Sequence, residues 1–343
     1  MTTRIDFSQM TSTFSIPSAA SASPRLAARL ALSFAAAAAL AGAAGCTSPA
    51  WPASPTAATQ LAHFDGSQGS LSEGLAVQGK TAYVGYAGSG QIMTVDLDTD
   101  KAAPYSTLPT PIAGKGFVSG MLLHGTDLFG ALVSFVPDVQ PGIYRAVKGG
   151  PATVFAKHPE MVFPNGMVFD DAGQMYITDS AAGAVFRVSA VGEVTKWVSG
   201  PTLTGGKDGC GAGNGVGVPF DIGANGIVID DGAVIVTNTD HGSLVRIPIQ
   251  ADGSAGTPAE IAGPSCADLN GADGLAIAPN GDYIVAVNHQ NKLARIDHAG
   301  HVSTLLTGGL LDFPASVTFD GGALYVGNFA FLDAKNPGVL RVR

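Results

Sequence analysis

The sequence is short of charge and has no basic stripe. Only 13% of its 343 residues are charged, and the formal net charge is −9. Proteins that grip nucleic acid gather Lys and Arg on one face. No such gathering exists here, which argues against polyanionic partners. Apolar runs of membrane-spanning length are missing too. Residues 30–44 are apolar, but a spanning helix needs about 20 such residues. Cysteine is scarce, with three in all. What is abundant is glycine (46) and proline (21). With so little charge, that balance favours a β-protein of many tight turns over a helical one.

The first residues are not part of the fold. Residues 1–24 are polar and rich in Ser and Thr, and Arg25 and Arg29 then precede the apolar stretch, which ends in Ala43-Ala44-Gly45-Cys46. A basic region, a short apolar region and small residues make a secretory signal, assigned to residues 1–45. Cys46 after small residues resembles a bacterial lipobox, with Ala43 where the pattern prefers Leu. The expectation is an exported cell-envelope lipoprotein, lipidated at Cys46 and touching the membrane only through that anchor. Ordinary cleavage and secretion is the alternative. Residues 46–59 read as a Pro-rich tether.

From residue 60 to 343 the chain repeats itself. The repeats open at Glu73-Gly, Ser119-Gly, Asn165-Gly, Asn225-Gly, Asp273-Gly and Ala315-Ser. Each continues with an apolar strand, a turn such as Asn280-Gly281, a second strand such as Tyr283-Ile-Val-Ala-Val, a third and a more polar fourth. Short β-rich runs joined by Asx-Gly turns are antiparallel meanders. Four strands in roughly 45 residues make one propeller blade. The predicted fold is all-β, a six-bladed β-propeller with four-stranded antiparallel blades. The last repeat stops after three strands, and Gln60-Leu-Ala-His-Phe64 supplies the fourth. That pairing closes the ring and hides its edges.

The first strand of each blade lines the central channel, so the opening residues converge at one mouth: Glu73, Ser119, Asn165, Asn225, Asp273 and Ala315. Glu73, Asn165, Asn225 and Asp273 offer hard oxygen ligands, which suit Ca²⁺. No Cys or His stands in this set, which disfavours zinc. Asn-Gly and Asp-Gly are also ordinary turn dipeptides, so turn chemistry around a water-filled channel is the alternative. Glu73, no turn residue, fills the matching slot. The turns after the second strands should bring Asp179, Asn238, His241, His289 and Asn328 to the same mouth. His289 is the candidate for proton transfer. Phe220 and Phe313 are candidates for an apolar wall.

Residues 200–223 and 263–271 enter this face before blades four and five, carrying Cys210 and Cys266. In an oxidising compartment an even pair suggests a disulfide, here one that staples a Gly-rich lid. Two free buried thiols are the alternative.

Ser72-Glu73-Gly74-Leu75 resembles the opening E-G-P of the senescence marker protein/gluconolactonase (regucalcin)-like calcium-dependent lactonase and phosphotriesterase propellers, with Leu in place of Pro. Pro164-Asn165-Gly166, Ala224-Asn225-Gly226 and Ala272-Asp273-Gly274 resemble that superfamily's N-G and D-G blade openings. The resemblance implies six blades and a hydrolase of lactones or related esters acting on a small-molecule substrate. It implies an axial Ca²⁺, or another divalent cation such as Mg²⁺, Mn²⁺ or Zn²⁺, held by Glu73, Asn165, Asn225 and Asp273. It implies Asp273 as nucleophile or general base, and it puts Ser119 where related enzymes gather substrate-binding groups. No Arg accompanies Ser119, and there is no His-His dyad. A non-catalytic cell-surface propeller for ligand binding or protein interaction is therefore the second functional expectation. The chain is expected to be a monomer.

Overall fold

A computed structural model describes residues 55, 57–68, 70–109, 116–206, 209, 210 and 220–343. The expected leader 1–45, Cys46 and most of the 46–59 tether lie outside the described residues. Six sheets, each with its four-stranded antiparallel meander, form a six-bladed propeller. The inner strands are Ser72–Gln78, Gly116–His124, Pro164–Phe169, Ala224–Asp230, Ala272–Ile277 and Pro314–Asp320. The last blade takes its outer strand from Ala58–His63, which pairs antiparallel with Gly338–Val342. That strand begins at Ala58 rather than at Gln60. No helix among the described residues is long and apolar enough to cross a membrane.

Burial follows the order of strands within a blade. The second strands Met175–Asp179 and Tyr283–Val287 are buried along their whole length, because both of their faces meet neighbouring blades. They read accordingly as near-continuous apolar runs. Outer strands such as Val194–Ser199 are mostly open to solvent and carry Thr, Lys and Ser. Between blades three and four, Tyr176, Leu203, Ile227, Val236 and Val245 form one apolar cluster. The hairpin between Asp230 and Ala233 has Asp231 and Gly232 both at positive φ (41° and 66°), as a two-residue type I′ turn requires.

The residue-Gly pairs at the axis have a different cause. Each inner strand breaks register with the second strand at this pair, as between Ala224 and Ile227 or Ala272 and Leu275. The break is a bulge, which bends the strand and re-aims one side chain. A Cβ added to Gly226 would lie 2.3 Å from the carbonyl oxygen of Asp273, and one on Gly166 would lie 2.6 Å from that of Asn225. Glycine is needed here for close approach between blades, not for a turn. The bulge leaves the Gly226 N–H off the strand ladder; it donates to Thr237 Oγ1 at 2.7 Å, and that hydroxyl donates to the Asp273 carbonyl at 2.7 Å. Thr178 bridges Gly166 N–H (2.9 Å) and the Asn225 carbonyl in the same way.

Two additions decorate the ring. Gly150–Pro151 pairs in parallel with Lys101–Thr107, a fifth strand on blade one that the repeat pattern does not show. The connection between the third and fourth strands of blade two lies along the edge of blade one, and buried Ser106 holds it through its hydroxyl to the Gly150 carbonyl at 2.9 Å. Cys210 and Cys266 are joined as a disulfide with Cα atoms 5.1 Å apart. Cys266 opens a one-turn helix, Cys266–Leu269, capped by the Ser265 side chain.

The close approach predicts an asymmetry between glycines. Gly226→Ala should cost about 1–3 kcal/mol by overpacking. Gly88→Ala, whose added Cβ meets nothing within 4 Å, should stay within about 0.5 kcal/mol of the parent. Chemical denaturation of both variants checks this, and equal losses would contradict the inter-blade contact.

Candidate functional site

The bulges aim Glu73, Asn165, Asn225 and Asp273 at one neck of the axis. All four are 5–8% exposed. On one side they floor a mouth cavity of about 600 Å³, open solvent at its rim included. On the other they cap a channel of about 1090 Å³ lined by the far halves of the inner strands.

The two carboxamides are oriented by hydroxyls of their own blades. Asn165 Nδ2 donates to Ser180 Oγ at 3.3 Å, and Asn225 Nδ2 to Thr239 Oγ1 at 3.0 Å. Those hydroxyls spend their hydrogens on the carbonyls of Ala224 and Ala272, each at 2.8 Å. They can therefore only accept from the asparagines, so neither amide oxygen is engaged by these hydroxyls, and Asn225 also donates to Asp273. In blade five the axial residue is a carboxylate and needs a donor instead. Asn288 stands where Ser180 and Thr239 stand, and its Nδ2 donates to Asp273 Oδ2 at 2.9 Å. The other end of Asn288, Oδ1, is buried without a partner.

The carboxylates lack any positive neighbour. Glu73 Oε2 is buried with no hydrogen bond. Burial, and then repulsion from Asp273, raise the Glu73 pKa well above the usual carboxylate range. Burial raises Asp273 to about 7, opposed by hydrogen bonds from Asn288 and Asn225. No Lys or Arg lines the cavity among the described residues. Two buried acids facing each other are costly without a countercharge. The donor set, two carboxylates and two amide oxygens, fits a hard divalent cation such as Ca²⁺, Mg²⁺ or Mn²⁺ better than zinc, which favours nitrogen and sulfur. Among the described residues no three His, Cys, Asp or Glu side chains cluster for a metal; the fit here depends on the two carboxamides.

The other expected site residues divide. His289, in the turn Asn288–Gln290, lines the cavity, with its ring 5.4 Å from that of Phe313. Burial lowers its pKa below the usual imidazole value, which favours the neutral ring. Phe313 lines the wall, whereas Phe220 stands behind it against Phe163 at 5.5 Å. Ser119 is fully buried and donates to the Pro164 carbonyl at 2.7 Å. It is a stitch between blades two and three that faces the channel, not the mouth.

Asp179, Asn238 and Asn328 are not at the mouth either. Asp179 accepts the amides of Val162 (2.7 Å), Phe163 (3.0 Å) and Ala182 (2.9 Å). Asn238 donates to the carbonyls of Thr202 and Thr204 at 3.0 and 2.8 Å. Asn328 donates to those of Leu310 and Asn336 at 2.6 and 3.0 Å. All three are fully buried and tie down loops. The physical reason is strand alternation: one step along a strand turns a side chain to the opposite face. The next residue in each case faces inward, as Ser180, Thr239 and Phe329 do, and Thr239, Phe329 and Asn288 line the cavity. Comparing second-strand ends between repeats, Thr178-Asp-Ser, Thr237-Asn-Thr and Ala286-Val-Asn, would have found them.

A six-bladed propeller with an acidic oxygen cluster buried at its axis is the class these features define. Its fold is that of the gluconolactonase-like propellers. A putative gluconolactonase superposes with a TM-score of 0.61 at 13% identity, covering 86% of this chain and 93% of that one. Regucalcin from Agrobacterium tumefaciens str. C58, described as a calcium-binding protein, superposes with 0.57 at 16%, over 80% and 90%. A luciferin-regenerating enzyme superposes with 0.60 at 15%, over 83% and 94%. At such identities the likeness establishes the fold. No protein-family model matches the sequence, and no curated protein is similar to it in sequence.

The axial acids predict a pH signature. Their folded pKa values are raised, so protonation stabilises the fold. That stability is complete below the unfolded carboxylate range near about 4 and is lost as pH rises through about 7 for Asp273. In chelator, thermal melts should therefore fall between pH 5 and pH 8, and Asp273→Asn should flatten the fall. A rise over that interval would contradict the assignment.

Proposed function

We propose that this chain is a divalent-cation-dependent hydrolase of lactones or related esters. The observation that carries the reading is the pair of uncompensated buried carboxylates, Glu73 and Asp273, beside two oxygen-presenting carboxamides at the floor of an open cavity. Glu73, Asn165, Asn225 and Asp273 would hold the cation, with calcium the first choice and Mg²⁺, Mn²⁺ or Zn²⁺ the others. A bound divalent cation supplies Lewis-acid polarisation of an ester carbonyl. Asp273, its Oδ2 held by Asn288, would act as general base or nucleophile. Neutral His289 at the wall can take up or return a proton. The gluconolactonase and regucalcin folds support the same class.

Export completes the proposal. The basic, apolar and small-residue pattern of residues 25–46 would deliver the propeller across a membrane, with Cys46 as the lipid-bearing residue. The substrate is then an extracytoplasmic small molecule, and the working unit is a monomer.

A second reading has one observation in its favour. Ser119, Asp179, Asn238 and Asn328 are all committed to backbone groups, so the wall offers few polar handles to a substrate. A non-catalytic propeller that holds a ligand fits that wall as well.

Hydrolysis of a panel of lactones and aryl esters in Ca²⁺, Mg²⁺, Mn²⁺, Zn²⁺ or chelator separates the two. The hydrolase reading expects turnover that chelator abolishes, and a loss of about 100-fold or more in kcat/KM for Asp273→Ala. Cation binding without turnover on any member would favour the ligand-holding reading.

A further inference from the structure

The wall above the axial oxygens is aromatic on both sides. Phe117 and Phe163 stand on one flank with ring centroids 5.0 Å apart. Phe313, Phe329 and Phe331 stand on the other, with centroids 5.1–6.1 Å apart. All five line the mouth cavity. Phe117, Phe163 and Phe313 share one register, two positions before the axial residues Ser119, Asn165 and Ala315. The wall is therefore built on the repeat itself.

Its rings are held in place. Phe313 has φ +48°, a backbone state that a bulky residue avoids. It is clamped there from two sides: its N–H donates to Asn291 Oδ1 at 2.7 Å, and its carbonyl accepts from Phe329 N–H at 3.1 Å. Strain kept by surrounding contacts collects at functional sites. Here it holds the Phe313 ring against His289. The Phe163 backbone is fixed by Asp179.

We propose that this cavity selects neutral substrates whose variable part is apolar, an aryl ring or an alkyl chain, over polyhydroxylated or anionic lactones. The inference rests on the hydrolase reading and names its substrate class. Above the axial layer the described wall has only Thr239, Asn288 and His289 as polar partners. The Thr239 hydroxyl is already used, donating to Ala272 and accepting from Asn225. Each substrate hydroxyl buried against phenyl rings without a partner costs about 1–3 kcal/mol. A lactone carrying several hydroxyls loses on each, whereas an aryl group gains apolar contact and edge-to-face ring packing. An anionic substituent finds no Lys or Arg among the described lining residues.

The test is a series on one ring. kcat/KM is measured with Ca²⁺ for γ-lactones that are unsubstituted, hexyl-substituted, phenyl-substituted or trimethylammonium-substituted, and for glucono-γ-lactone. The phenyl and hexyl compounds should exceed the unsubstituted one by about 10-fold or more, glucono-γ-lactone should fall below it, and Phe329→Ala should narrow the phenyl preference. A flat series, or a preference for the hydroxylated or ammonium compound, overturns the inference while leaving the hydrolase reading standing. If no lactone turns over, calorimetric binding of the phenyl and unsubstituted compounds decides. Tighter phenyl binding keeps the ligand class and removes the hydrolase, and equal binding removes both.

Discussion

Six strands come so close at the axis that in five of them the residue after the axial side chain has almost no room for a Cβ. The contact is specific: Gly74, Gly120, Gly166, Gly226 and Gly274 each face a carbonyl of the next blade at 2.2–2.6 Å from where a Cβ would be. The same bulge that permits the approach turns the preceding residue toward the centre. Ring packing and site construction are thus one constraint. In the sixth blade Ser316 replaces glycine and donates its hydroxyl to the Glu73 carbonyl, which closes the circle with a hydrogen bond instead of bare contact.

A charge problem follows from that geometry. The ring buries two carboxylates at its neck, and burial leaves them far more basic than carboxylates in water. The surrounding groups prepare the neck without neutralising it. Ser180 and Thr239 hold the amide nitrogens of Asn165 and Asn225, Asn288 steadies Asp273, and Glu73 keeps an unpartnered oxygen. A folded protein that leaves such groups uncompensated gives up stability. A bound divalent cation would recover it.

The fold was readable from the sequence because propellers repeat. Glu73, Asn165, Asn225 and Asp273 share one slot in their repeats, and a closed ring has only one place to put that slot. The Asn280-Gly281 turn and the missing fourth strand of the last blade were legible for the same local reasons. The mouth was harder. Asp179, Asn238 and Asn328 are polar, end the second strands and sit before turns, yet alternation sends them outward to loop carbonyls and amides. The inward positions hold Ser180, Thr239, Asn288 and Phe329, which look unremarkable one at a time and become visible only when repeats are aligned on each other. The wall of Phe117, Phe163 and Phe331 was hidden differently, because apolar residues near strand starts look the same whether they face a core or a cavity. The extra strand Gly150–Pro151 had no sequence signal beyond the length of its connection.

Everything above the fold depends on whether the axial oxygens take a cation. Titration calorimetry of Ca²⁺ into the purified, chelator-stripped chain measures this directly. The account predicts one cation per chain, with binding lost in Glu73→Gln/Asp273→Asn and kept in Asp179→Asn, whose carboxylate serves a loop. Heat that is absent in the parent, or undiminished when both axial carboxylates are gone, would contradict it.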